Sequence, residues 1–169
     1  MPGHERDSFL KTWERENLST MRVLDALPAD QYDFRPDPGG RSLGELAWHL
    51  AEAEAYMTYG IEQGKFDFAI KPPNLERPRD VRALAAGFRR AHEDAMARVR
   101  RLTDEDFDRT MPFFMGDPMR VGDILWYALL HHLIHHRGQL ALMCRLAGGR
   151  TPGIHGPNRE EMAALKAQT

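Results

Sequence analysis

Eight histidines occur in the 169 residues, and four of them fall in the run His131-His132-Leu133-Ile134-His135-His136. Two i,i+4 pairs are nested there, 131/135 and 132/136. On a helix, residues four apart share a face with Cβ atoms about 6 Å apart, close enough for two imidazoles to hold one cation. Projected at about 100° per residue, Leu125, Leu129, His132, His136, Leu140 and Met143 form one stripe. The 132/136 pair is therefore expected near the middle of an apolar face, with its rings pointing inward. His131 and His135 are expected at the edge of that face, against a helix interface, a subunit contact or the rim of the site. Two buried imidazoles cost roughly several kcal/mol unless hydrogen bonds or a metal satisfy them.

A third candidate is His49, beside Leu46, Leu50 and Ala53. Taken alone, His49 reads as a hydrogen-bonded core histidine; facing the pair across a bundle, it would complete a site. Three neutral ring nitrogens leave coordination positions open, which is the arrangement of a catalytic rather than a structural centre. Other metal templates fail. No glutamate separates His132 from His136 as HExxH requires, Glu45 and His49 are one residue too far apart for Glu-x-x-His, and no Cys-x-x-Cys-His occurs. Imidazole ligation without a carboxylate admits Zn, Ni, Cu or Fe. Near the candidates, Gln139 could orient a ring and Arg137 could meet a substrate carboxylate or stand as a solvated charge. Glu52 and Glu54 read as surface groups or as a base. His4, His92 and His155 have no pattern and are expected to be solvated. Trp48 and Trp126 are expected to pack, and Cys144 to be a buried, inert thiol.

The elements that must position these groups are helices. The first is expected over Ser8–Leu27, with Asp7 or Ser8 as N-cap, Pro28 as stop and Phe9, Trp13, Leu18, Met21 and Leu24 inward. The second opens at Ser42, where Ser42-Leu43-Gly44-Glu45 is a capping box; Leu43, Leu46, Leu50, Ala53, Met57 and Ile61 line its apolar side. Pro72, Pro73 and Pro78 keep 64–79 from being helix. The third spans Asp80–Arg101, with Val81, Leu84, Ala85, Phe88, Ala91, Ala95 and Val99 inward and Arg89, Arg90, Arg98 and Arg100 outward. Thr103–Asp108 reads as a capped turn and 110–118 as an irregular or briefly extended connection. The fourth helix runs from Val121 to Ala147 and ends at Gly148-Gly149, and a short helix is expected over 160–166. Four amphipathic helices imply an all-α, four-helix bundle, a single domain over 1–169 with its core at 8–147 and a tail at 148–169.

A net charge of -2 supplies no field for nucleic acid or an anionic membrane. One cysteine forms no internal disulfide, and neither a secretion signal nor a bilayer-spanning run is evident, so a cytoplasmic address is expected.

His131-His132-Leu133-Ile134-His135-His136-Arg137-Gly138-Gln139 resembles the fourth-helix signature of the DinB/YfiT-like metal-dependent four-helix bundles, which ends His-His-Arg-Gly-Gln. Ser42–His49 is similar to the segment that carries the family's first metal histidine, and Tyr32–Pro36 and Gly148–Pro152 also match. The resemblance extends from about Phe9 to Pro157. It implies a down-up-up-down bundle with one long crossover, frequent homodimers, and a metal site of His49, His132 and His136 holding a divalent ion. Zn or Ni stands first as that ion, with Fe or Mn behind. One departure is His131, where many relatives carry asparagine. Characterised branches include S-transferases that use low-molecular-weight thiols such as bacillithiol, and mycothiol-dependent isomerases. The resulting expectation is a metal-dependent thiol S-transferase or hydrolase-like enzyme acting on a small molecule. The alternative is a non-catalytic metal- or ligand-binding or sensing module, and the plain reading is a metal-free histidine cluster.

Overall fold

A computed structural model describes residues 4–67, 69–114 and 116–168. Helix α1 spans His4–Asp25, α2 Leu43–Gln63, α3 Val81–Arg100 and the short α4 Asp104–Asp108. Strands β1 (Thr110–Met111) and β2 (Met119–Arg120) pair antiparallel, Thr110 opposite Arg120. The expected fourth helix is a composite of α5 (Val121–Asp123), a π-helical stretch π1 (Ile124–His131) and α6 (His132–Leu146). α7 (Arg159–Lys166) follows.

Capping chemistry sets several of these limits. Ser42 Oγ accepts from Glu45 N at 3.2 Å while Glu45 Oε2 accepts from Ser42 N at 2.8 Å, so two orphan amides at the start of α2 are satisfied. Asp80 and Thr103 cap α3 and α4. Gly148 takes φ +86°, a left-handed turn that suits glycine, and Gly149 N returns to Cys144 O to close the C-terminus of α6. α1 begins at His4, ahead of the expected Ser8, with Glu5 and Asp7 in its first turn, where the helix dipole favours negative charge.

Pairs across the helices give the topology. Trp48 packs on Gly87, Glu54 meets His92, and Thr58 and Glu62 meet Arg98, so α2 and α3 run parallel. Arg6 reaches Leu102 O while Trp13 packs on His92, so α1 and α3 are antiparallel. Glu16 pairs with Arg137 and Ala26 O with Cys144 Sγ, so α1 and α6 are parallel. The order is down-up-up-down, and residues 64–80 form the long crossover. At Gly87 any Cβ would stand 2.7 Å from the Trp48 ring, so a residue without one lets α2 and α3 approach here.

The core holds Phe9, Trp13, Leu50, Leu84, Phe88, Leu125 and Leu129, as their periodicity requires. Two expected facings are corrected. Leu18 is 63% exposed, because it lies five residues beyond Trp13; the buried line instead continues through Glu16 and Thr20. Arg98 is buried rather than outward: its guanidinium lies over the Tyr59 ring and beside Glu62, which offset the cost of leaving water. The side chain of His4, expected to be solvated, lies outside the described residues.

Candidate metal centre

The composite fourth helix decides how the histidines face. A π turn holds more residues than an α turn, so the 100° projection does not carry through 124–131. Downstream, the buried residues are Leu133, Arg137, Leu140, Met143 and Cys144: Leu140 and Met143 keep their place, and Leu133 and Arg137 take the one read for His132 and His136. His132 and His136 are therefore not at the middle of the buried face, as expected, but at its edge and half-buried. That displacement opens them to solvent while keeping them against α2.

From α2, His49 meets them. His49 Nε2 and His132 Nε2 are 3.2 Å apart, and the ring centroids are 5.3 Å (49–132), 4.8 Å (49–136) and 4.3 Å (132–136) apart. One nitrogen from each of the three rings lies within 4.8 Å of the others, so the cluster could hold a metal ion. The chemistry of the set fits one. Zn–N bonds of about 2.0–2.1 Å in tetrahedral geometry place two ligand nitrogens roughly 3.3 Å apart, close to the observed edge.

The electrostatics keep the lone pairs available. Burial, then the neighbouring His136 and His49 rings, push the His132 pKa down to about 4. Burial also lowers His136, against the opposing effect of its bond to Gln139. His136 Nδ1–H donates to Gln139 Oε1 at 2.7 Å, which leaves Nε2 unprotonated in the neutral ring. On the far side of His49, Nδ1 stands 3.7 Å from Glu52 Oε2, and Glu52 Oε1 accepts from Arg77 Nη2 at 3.1 Å.

The remaining candidates are distributed as follows. His131 is exposed, its ring 5.2 Å from Tyr127; His135 is exposed, its ring 5.1 Å from His136. Arg137 turns away from the site and is 4% exposed: Nη2 donates to Glu16 Oε2 at 2.7 Å and Nη1 to Glu16 O at 3.0 Å, and His155 Nε2 lies 3.2 Å from Nη2. A substrate carboxylate cannot reach it there. Glu54 and His92 are corrected too, being 1% and 6% exposed rather than surface groups. Glu54 Oε1 accepts from Trp13 Nε1 at 2.8 Å, and Oε2 is 2.9 Å from His92 Nδ1. Trp48 is buried, Trp126 packs on Phe9 at 5.2 Å, and Cys144 donates to Ala26 O, with burial raising its thiol pKa. Sequence reasoning missed the Glu52–Arg77 pair. Glu52, three residues from His49, was legible as a neighbour, whereas nothing local marked Arg77.

A half-open cluster of three imidazoles on a down-up-up-down bundle defines the class, and comparison with known proteins gives the family. The chain belongs to the DinB superfamily, which it matches over residues 12–140. It is 32% identical over 160 residues to the uncharacterized protein YrdA of Bacillus subtilis strain 168, covering 93% of this chain and 92% of that protein. A DinB-like protein from Bacillus cereus ATCC 10987 matches in structure with a TM-score of 0.73 at 29% identity, over 88% of this chain and 97% of the other. The DinB-like protein YjoA of Bacillus subtilis shares the fold, with a TM-score of 0.71 at 23% identity over 87% and 97% of the two chains. Among the described residues, no helix is long and apolar enough to cross a membrane.

Proposed function

We propose that His49, His132 and His136 bind a divalent ion, Zn or Ni in the first instance, and that the protein is a metal-dependent transferase joining a small thiol to an electrophile. The observation that carries this reading is the convergence of three half-buried imidazoles from α2 and α6 with, among the described residues, no carboxylate closing the cluster. A divalent cation there supplies positive charge that lowers the pKa of a nearby thiol, so that the attacking thiolate is available at neutral pH.

The chain's own residues do the rest. Half-burial keeps His132 and His136 uncharged, and Gln139 holds His136 with its lone pair inward. In the transfer, the thiol proton leaves to solvent, the sulfur forms a bond to the electrophilic carbon, and the leaving group departs with its electron pair. Cys144 takes no part, being buried and bonded to Ala26 O. The chain is further read as one cytoplasmic domain that forms a homodimer, for which exposed Leu142 and Leu146, one turn apart on α6, offer apolar surface.

The test begins with metal content of untagged protein beside a His132→Ala/His136→Ala variant. About one ion per chain in the first and none in the second is expected; equal content in both removes the site. Protein saturated with Zn or Ni should then conjugate a low-molecular-weight thiol to a reactive electrophile. Tight metal binding with no turnover across several thiols replaces the transferase by a binding or sensing module.

A further inference from the structure

We infer that Glu52 and Arg77 are positioning residues for His49: the carboxylate holds Nδ1–H so that Nε2 faces the cluster, and Arg77 fixes the carboxylate. This deepens the metal-site reading and rests on it for the ligand concerned. Of the two nitrogens of His49, Nε2 is the one 3.2 Å from His132 Nε2, and Nδ1 is the one on the Glu52 side, 3.7 Å from Oε2. Glu52 is itself held at its other oxygen by Arg77 Nη2 at 3.1 Å. Arg77 Nη1 stands 3.9 Å from Glu45 Oε1, and Arg35 Nη2 pairs with the second Glu45 oxygen at 2.8 Å. Glu45 is also the capping-box partner of Ser42, so the chain of charges runs from the start of α2 through the crossover to His49.

A carboxylate in this position could instead be a proton acceptor. The geometry favours the holding role: Oε1 is taken by Arg77 Nη2–H at 3.1 Å, and Oε2 is the oxygen left on the His49 Nδ1 side. Both rings have an acceptor behind them: Gln139 Oε1 bonds His136 Nδ1–H at 2.7 Å, and Glu52 Oε2 attracts the Nδ1 side of His49 across 3.7 Å. In the metal-free protein His49 Nε2 is left to accept from His132 Nε2–H. Arg77 belongs to the 64–80 crossover, so metal affinity becomes linked to the seating of a segment that contributes no ligand.

The experiment uses the full chain with Glu52→Ala, Glu52→Gln, Arg77→Ala and the Glu52→Ala/Arg77→Ala double variant. Zn and Co affinities are measured by chelator competition, and the protonated nitrogen of His49 is read by nitrogen-15 NMR of the metal-free protein. Loss of a carboxylate behind a ligand histidine costs about 10–100-fold in metal affinity, which is the expectation for Glu52→Ala. Arg77→Ala should lose several-fold, and the double variant should bind like Glu52→Ala, because Arg77 acts through Glu52. Glu52→Gln, which keeps an oxygen acceptor, should recover part of the loss. His49 should carry its proton on Nδ1 in the native chain and lose that preference in Glu52→Ala, a change that general loosening of the fold would not produce. Native-like affinity with an unchanged His49 proton in Glu52→Ala overturns the inference while leaving the three-histidine site standing. If the native chain binds no metal, the metal-site reading fails, and the NMR result still decides whether Glu52 orients His49.

Discussion

Two groups of histidine lie inside this bundle, and their surroundings are opposite. His92 is enclosed: Glu54 meets its Nδ1 at 2.9 Å, the same carboxylate accepts from Trp13 at 2.8 Å, and both titratable groups are buried. His49, His132 and His136 are half-exposed, and the nearest neighbours of His132 and His136 within the cluster are other imidazoles. Both groups draw on α2, Glu54 standing five residues beyond His49. The difference teaches how a bundle separates structure from chemistry. A carboxylate with two donors makes a satisfied knot that ties α1, α2 and α3 together. Three half-exposed imidazoles gathered from two helices make a cluster that could hold a cation.

The contrast should show in stability as effects of opposite sign. Glu54→Ala leaves the Trp13 N–H and the His92 ring without their partner in the core, and should cost roughly 2–4 kcal/mol in urea unfolding while metal stoichiometry in the folded protein stays unchanged. A loss of metal with no change in stability would erase the distinction between the two groups. His132→Leu should do the reverse, abolishing metal binding while raising the stability of the metal-free protein by about 1 kcal/mol, as relief of an unsatisfied functional site does. The third effect is in pH. The His132 pKa is lowered to about 4 in the fold, against about 6.5 in an unfolded chain, so between these values the unfolded state binds the extra proton. Stability of the metal-free protein should therefore fall as pH drops from about 6.5 to about 4 and level off below. His132→Leu should flatten that slope, with the part due to His136 remaining. Urea midpoints at half-unit pH steps measure both.

Much of this was legible before any coordinates. The Ser42–Glu45 capping box, the Pro28 and Gly148-Gly149 stops and the apolar spacings of α2 and α3 follow from local chemistry, which acts over a turn or two of chain. The i,i+4 spacing of His132 and His136 belongs to the same class of signal. Other features mislead a local reading. Leu18 reads as inward by its type, although the 3.6-residue period runs through Glu16 and Thr20, whose polar character hides the stripe. The π stretch over 124–131 carries no marker in a run as uniformly apolar as Ile124-Leu125-Trp126-Tyr127-Ala128-Leu129-Leu130, yet it turned the histidine pair from the centre of the buried face to its edge.

By itself, then, the order of residues determined that there would be helices, where α2 and α3 would begin, and that two imidazoles would project from one side of the last long one. Tertiary structure decided what each polar side chain would meet. Glu16 with Arg137, Glu54 with His92 and Trp13, and Arg77 with Glu52 are joined across 121, 38, 41 and 25 positions of chain. Whether a buried charge is a defect or a tie depends on the partner that arrives from another helix. A single-helix pattern contains one half of each such pair, and only packing brings the halves within hydrogen-bonding distance.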